Sequence, residues 1–219
     1  IIPTNNRFHS LINTINSVVN QTYRPIQLII VNDGADDQKY YDYDFQELVK
    51  NEKDIELIMF QHKFSSKEKF GYNCIAYPRN TGINLSRGKY VAFLDDNYIW
   101  KPNKLETQIE IMEKTNTHFS CTDINMDLDC DYSKIKNSNH QHNINQNQDN
   151  INIINSELIN FNNIIITSSV ILSKELINNV GRITHIPDDG KVINNVRDYS
   201  DWNYWKKCLT KTNSCLYIK

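Results

Sequence analysis

Asp95 and Asp96, followed by Asn97, stand directly after the apolar run Val91-Ala92-Phe93-Leu94, with nothing cationic beside them in the sequence. A continuous apolar run of that kind is what a strand buried on both faces requires. Acid at its end calls for a metal ion or a polyol, and hard oxygen donors of this type suit Mg2+ or Mn2+. A second acidic corner, Asn32-Asp33-Gly34, follows the apolar segment from Ile26 to Val31. In open α/β sheets ligands bind beyond the carboxyl ends of strands, so the two corners are expected to face one cleft. A third cluster, Asp198-Tyr199-Ser200-Asp201-Trp202-Asn203-Tyr204-Trp205, joins acid to aromatic rings. Trp100, Trp202, Tyr204 and Trp205 offer flat faces for a sugar, and since most aromatics at such spacing are core, one of them is assigned to the site.

The elements that must carry these corners alternate between strand and helix. Ile1-Ile2 ends a first strand, and Thr4 or Asn5 caps a helix whose Phe8, Leu11, Ile12, Ile15, Val18 and Val19 share one face. Ile26 to Val31, Ile55 to Phe60 and Tyr90 to Leu94 read as further strands. After Pro102, the positions Leu105, Gln108, Ile109 and Met112 have the spacing of an amphipathic helix. Phe119 to Thr122, Ile164 to Leu172 and Cys215 to Ile218 are read as strands, Lys174 to Val180 as a helix stopped by Gly181, and a last helix follows the third acidic cluster. The expected class is α/β, with a central, mostly parallel mixed sheet flanked by helices. Residues 137 to 155, rich in Asn, Gln and His, are too polar to bury and are expected to form a mobile insertion. His140 and His142 within it read as solvated side chains rather than ligands.

The chain has 219 residues, enough for one domain with a substantial core. A net charge of −2 and the lack of any Lys or Arg block disfavour a nucleic-acid partner. No apolar run is long enough to span a bilayer and no charged-then-apolar leader opens the sequence, which is expected of a soluble, cytoplasmic chain. It starts without Met inside an apparent strand and is read as a fragment or one domain of a longer protein. The five cysteines are scattered, without Cys-x-x-Cys spacing, and read as reduced, space-filling thiols. The abundance of Asn and Ile hints at an AT-rich genome, such as that of some large DNA viruses, and so at a virus-encoded enzyme of the host cytoplasm.

Several motifs, in order, point to one family. Ile1-Ile2-Pro3-Thr4-Asn5-Asn6-Arg7, Ser17 to Tyr23, Ile29 to Asp37, Arg79-Asn80-Thr81-Gly82, Gly88 to Asp95 and Trp100-Lys101-Pro102 together resemble the donor half of the family 2 glycosyltransferases, over most of residues 1–112. The resemblance implies a GT-A fold that binds a nucleotide-diphospho sugar, most readily a UDP-sugar, with a divalent cation (Mn2+ or Mg2+). It also implies transfer, with inversion, to a hydroxyl of a glycan, a protein or another acceptor. The chain then divides into a donor half, 1–112, and an acceptor half, 113–219. Donor binding is assigned to Pro3, Thr4, Asn5, Arg7, Asn32, Asp33, Arg79, Asn80, Asp95 and Asp96, and the metal to Asp95, Asp96 and Asn97. Asp33 would accept from the imide N–H of uracil, Arg79 would pack near the base and diphosphate, and Asp201 would be the general base, with Asp198 as the substitute.

Plainer roles exist for the same residues: a tight turn at Asn32-Asp33-Gly34, an Asx-rich turn ending the strand at Asp95, a helix entry capped by Asn80 with Gly82 allowing close packing, and a helix N-cap at Asp201. Asn32, Asn97, Tyr98, Ser200 and Asn203 stand where the family commonly carries acid. They imply a weaker metal site, and they support the alternative of a degenerate GT-A domain that binds nucleotide or glycan, or serves as an interaction module. A nucleotidyltransferase would need a Gly-rich or basic grip on a triphosphate, and a dinucleotide dehydrogenase a Gly-x-Gly-x-x-Gly turn; neither pattern occurs.

Overall fold

The computed structural model describes residues 1–125, 151–161, 163–184 and 200–219. Cys130, His140, His142, Asp198 and most of the polar insertion lie outside the described residues. Up to Lys114 the chain runs β1 (Ile2–Thr4), α1 (Phe8–Val19), β2 (Ile26–Asn32), α2 (Lys39–Asp42), β3 (Ile55–Gln61), α3 (Ser66–Phe70), α4 (Ala76–Leu85), β4 (Tyr90–Ala92) and α5 (Lys104–Lys114). The rest contains β5 (Phe119–Thr122), β6 (Ile151–Ile154), α6 (Ser156–Phe161), β7 (Ile171–Ser173), α7 (Lys174–Val180), α8 (Ser200–Thr212) and β8 (Cys215–Ile218).

Strands β1, β2 and β3 are parallel, in the register Thr4 opposite Asn32 and Asn32 opposite Gln61, so their carboxyl ends share one edge. Strands β4-β7-β5-β8-β6 form a mixed ladder, parallel between β5 and β8 and antiparallel elsewhere. Backbone bonds splice the two ladders: the Ile1 nitrogen donates to Ala92 O (2.8 Å) and the Leu94 N–H to Ile1 O (3.0 Å). Asp95 and Asp96 therefore leave the sheet next to the end of β1. Helix α1 buries Leu11, Ile15 and Val18 as the periodicity predicts, each contributing about 1.5–3 kcal/mol by removal from water. Leu105, Gln108, Ile109 and Met112 of α5 are buried likewise. Helix α4 packs against β1 so closely that a Cβ on Gly82 would lie 2.4 Å from the Ile1 side chain, which excludes any larger residue there without a shift.

Four sequence expectations change. The strand expected over Ile164 to Leu172 is broken by a 3-10 turn at Thr167–Ser169, because Ser169 turns its hydroxyl and N–H back on Ile166 O (2.7 and 2.9 Å) instead of into a ladder. Strand β4 ends at Ala92, and the next two N–H groups diverge, Phe93 to Val170 O and Leu94 to Ile1 O. Helix α1 starts at Phe8, and neither Thr4 nor Asn5 caps it, since both are used elsewhere. The end of the polar insertion is not loop: Ile151–Ile154 pairs with β8 as an edge strand, burying Asn152 and Ile154. Cys74, Cys121, Cys208 and Cys215 are buried and unbridged, as the reduced-thiol reading expects.

Candidate functional site

A cleft of about 490 Å3 opens at the carboxyl ends of β1, β2 and β4. Pro3, Thr4, Asn5, Arg7 and Asp33 line it from the first two strands, and Asp95, Asp96 and Asn97 from beyond β4. Ser66 from α3, Pro78 from α4, and Asn73, Cys74 and Ile75 from the segment between them complete the lining. The two acidic corners thus share one cleft. A separate, smaller cavity of about 140 Å3, bordered by Ile26, Leu28, Tyr90 and Trp100, contains none of the acidic residues.

The carboxylates are not free of cations, contrary to the expectation from neighbouring residues alone. Arg7 reaches Asp96 Oδ1 through Nη1 (3.1 Å), while Thr4 Oγ1 donates to Asp96 Oδ2 (2.8 Å). The single Thr4 hydroxyl proton is then spent, so the Tyr40 hydroxyl donates to Thr4 Oγ1 (2.8 Å) and itself accepts from the Arg7 N–H (2.8 Å). Burial pushes the Asp96 carboxyl up, Thr4 and Arg7 oppose it, and Asp95 adds to the rise, leaving the pKa above the ordinary Asp value.

Arg79 carries the centre of the site. It lies within α4, one turn before Gly82, and its side chain is 3% exposed. Nη2 donates to Asp95 Oδ1 (2.6 Å) and Nη1 to Asp201 Oδ1, so one guanidinium bridges a carboxylate just beyond β4 and one from α8. Burial works against its charge, but Asp201 and Asp95 outweigh that penalty and hold its pKa above the ordinary Arg value. Its Nε is buried with no hydrogen-bond partner among the described residues. Asp201 is no N-cap: it sits in the first turn of α8, and its Oδ2 accepts from Thr167 Oγ1 (2.7 Å). The Asp95 N–H donates to Ser168 Oγ (3.0 Å), and Trp100 Nε1 donates to Ser168 O (2.7 Å). Thr167 and Ser168 are site residues that the sequence reading missed; hydroxyls inside an apolar run were the signal.

The other predicted residues divide. Asp33 lines the cleft, its carboxylate held by Ser66 and His62. Asn32 is fully buried, with Oδ1 on the Ala35 N–H (3.0 Å) and Nδ2 on Gln61 (3.2 Å), and does not line the cleft. Asn80 neither caps a helix nor lines the cleft: its amide makes two bonds with the Ile183 backbone (2.8 and 3.0 Å). Tyr204 and Trp205 are core, and Trp202 Nε1 is held by Ile159 O (2.6 Å). Among the described residues no three His, Cys, Asp or Glu side chains gather as a metal cluster.

A sequence-family model described as Glycosyl transferase family 2 matches residues 1–180. The chain belongs to that family. Among curated relatives, an uncharacterized glycosyltransferase of Rickettsia bellii is 39% identical over 122 residues, which is 56% of this chain and 16% of that protein. The UDP-Glc:alpha-D-GlcNAc-diphosphoundecaprenol beta-1,3-glucosyltransferase WfgD of Escherichia coli is 32% identical over 119 residues, 54% of this chain and 42% of its own length. This family 2 chain therefore spans less than half the length of these two relatives. They are bacterial, and the compositional hint of a viral genome finds no support in them. Solved structures share the fold: S. aureus TarS 1-349 in complex with UDP superposes with a TM-score of 0.68 at 14% identity, covering 100% of this chain and 56% of that 1-349 chain. The mannosyltransferase PcManGT of Pyrobaculum calidifontis, in complex with GDP-Man and Mn2+, gives 0.64 at 12% identity, covering 100% and 53%. The architecture is thus the GT-A fold. No helix among the described residues is long and apolar enough to cross a membrane.

Proposed function

We propose that this family 2 domain transfers a sugar from a UDP-linked donor to an acceptor hydroxyl, with inversion and the help of a divalent cation, and that Asp201 is the general base. The observation that carries the reading is the Arg79 bridge. It holds Asp201, from far along the chain, beside Asp95, which lines the cleft. Among the described residues each Asp201 oxygen has one protein partner, which leaves it a further lone pair, so the carboxylate is oriented yet still able to take a proton from an attacking hydroxyl. A relative named for UDP-Glc and neighbours solved with UDP, or with GDP-Man and Mn2+, support a nucleotide-sugar donor and a cation.

The donor set fits a cation shared with the diphosphate rather than one caged by protein. Asp96 has a partner on each oxygen, whereas Asp95 Oδ2 has none among the described residues, and Asn97 offers a carbonyl oxygen in the same cleft. Asp95 and Asn97 would hold the ion, with Asp96 alongside. Four carboxylates (Asp33, Asp95, Asp96, Asp201) face two guanidiniums (Arg7, Arg79), so an anionic diphosphate meets a site already short of two positive charges. Held by those residues, a divalent cation would supply that charge as the diphosphate departs.

The test is a panel of nucleotide sugars incubated with the protein and Mn2+, following release of the nucleoside diphosphate, together with Asp201→Asn. Turnover of a UDP-sugar that falls by about 10²–10⁴-fold in the variant, with UDP binding intact, is expected. Undiminished turnover in the variant removes Asp201 from the role. A second reading, a nucleotide-binding domain without catalysis, is favoured by Asn97, which brings no negative charge to the cleft. It predicts UDP binding that Mn2+ does not strengthen and no turnover of any donor.

A further inference from the structure

Asp33 has an unusually complete set of protein donors for a residue facing a cleft. Its Oδ1 accepts from the Ser66 N–H (3.0 Å) and faces His62 Nδ1 (3.2 Å), and its Oδ2 accepts from Ser66 Oγ (2.6 Å). An ionised carboxylate offers about four lone-pair positions, two on each oxygen. Oδ1 is therefore filled, and the one acceptor position that remains belongs to Oδ2.

His62 is what fills the second position on Oδ1. It follows β3, and its N–H donates to Asn32 O (3.0 Å), which fixes the backbone. Its ring is stacked on Tyr77 at 4.1 Å and 28°, and its Nε2 lies 2.9 Å from Thr81 Oγ1. The side chain is 4% exposed. The carboxylate only accepts, so Nδ1 must carry a proton. A neutral ring then accepts at Nε2 from the Thr81 hydroxyl. A charged ring donates there, while Thr81 turns its proton to Tyr77 O (3.3 Å). Either way the Nδ1–H stays on Asp33.

We propose that His62 is a positioning residue that sets base selectivity: it confines Asp33 to one outward-facing acceptor position, and so makes the cleft prefer uridine over cytidine diphosphate. The chemistry discriminates because N3 of uracil carries a hydrogen and donates, whereas N3 of cytosine presents a lone pair that an anionic acceptor repels. With the Nδ1–H removed, Oδ1 regains an acceptor position and the carboxylate is freer to rotate, so the acceptor no longer points at the base in one fixed direction. This inference rests on the reading of Asp33 as the residue that meets the base.

Calorimetric titration of UDP and of CDP, both with Mn2+, into the wild-type chain and three variants tests it. His62→Asn keeps an N–H donor near the place of Nδ1 and is expected to retain the wild-type UDP-over-CDP ratio, although it loses the stacking on Tyr77. His62→Gln places its amide near Nε2, and His62→Phe keeps the stacked ring without a donor. Both are expected to lower the ratio about tenfold, chiefly through weaker UDP binding. Thermal melts establish which variants are folded, and the Gln and Phe variants serve as substitutes for each other. A wild-type ratio in a folded Gln or Phe variant overturns the role of His62, as does loss of the ratio in a folded Asn variant. A wild-type protein that binds UDP and CDP alike overturns the Asp33 reading itself, and the inference with it.

Discussion

Replacing Arg79 by Met removes one cation and strands two carboxylates. At a charge separation of about 4 Å and an effective dielectric constant near 20, each ion pair is worth about 4 kcal/mol in gross attraction, or roughly 8 kcal/mol for the two. Repulsion between Asp95 and Asp201 and the desolvation of a guanidinium that is 3% exposed cancel much of that sum. Breaking a buried pair from one side usually costs about 3–5 kcal/mol. Water still reaches the carboxylates, whose side chains are 29% and 18% exposed, so a loss near the lower end, about 3 kcal/mol, is expected. Urea denaturation at pH 7 measures it. A double-mutant cycle with Asp201→Asn isolates the pair, for which a coupling of about 1–3 kcal/mol is expected. The clasp would be refuted by a loss under about 1 kcal/mol in Arg79→Met together with a coupling near zero. That outcome would mean that water screens the bridge and that Asp201 is held by Thr167 alone.

Lys104 and Asn97 give two further predictions. Lys104 Nζ is buried without a hydrogen-bond partner among the described residues, 4.2 Å from the centre of the Trp100 ring, and burial lowers its pKa to about 7. The unfolded amine keeps its proton up to about pH 10.5, so between these values the unfolded chain binds more protons, and stability rises with pH across that window. Lys104→Met should therefore stabilise the protein at pH 7 by about 2–4 kcal/mol, part of the roughly 5 kcal/mol that the shift represents, and should flatten the rise. Urea melts of both proteins at pH 7 and pH 9 check this. Asn97→Asp adds a negative oxygen donor to the cleft and should tighten UDP binding in the presence of Mn2+ by about tenfold or more, with no gain in its absence; calorimetry with and without the metal decides.

Much of residues 1–112 was legible because its elements obey simple periodicities. The strands at Ile26 and Ile55, the α1 face and the α5 face follow from apolar spacing alone, and the acidic corners were placed correctly at strand ends. What stayed hidden was whatever depends on partners distant in sequence. Asp95 and Asp96 looked unaccompanied because Arg79 and Arg7 approach from 16 and 89 positions away. Asn32 and Asn80 sit inside motifs that resemble a donor site, yet their amides satisfy buried backbone and side-chain groups, a use that no local pattern separates from ligand binding. The turn at Thr167–Ser169 was taken for strand because Ile164 to Leu172 is apolar enough for either. The hydroxyls decided the outcome by bonding locally.

The Arg79 bridge also bears on how the domain assembles. Arg79 and Asp201 are 122 positions apart, while Asp95 is only 16 from the same guanidinium. Closing so long a loop costs more chain entropy than closing the short one, so the contact with Asp201 is the costlier of the two to form. The carboxylate proposed as the general base is in this sense also a long-range tie of the fold: the packing of α8 that sets Asp201 beside Asp95 adds the second negative partner of a buried guanidinium.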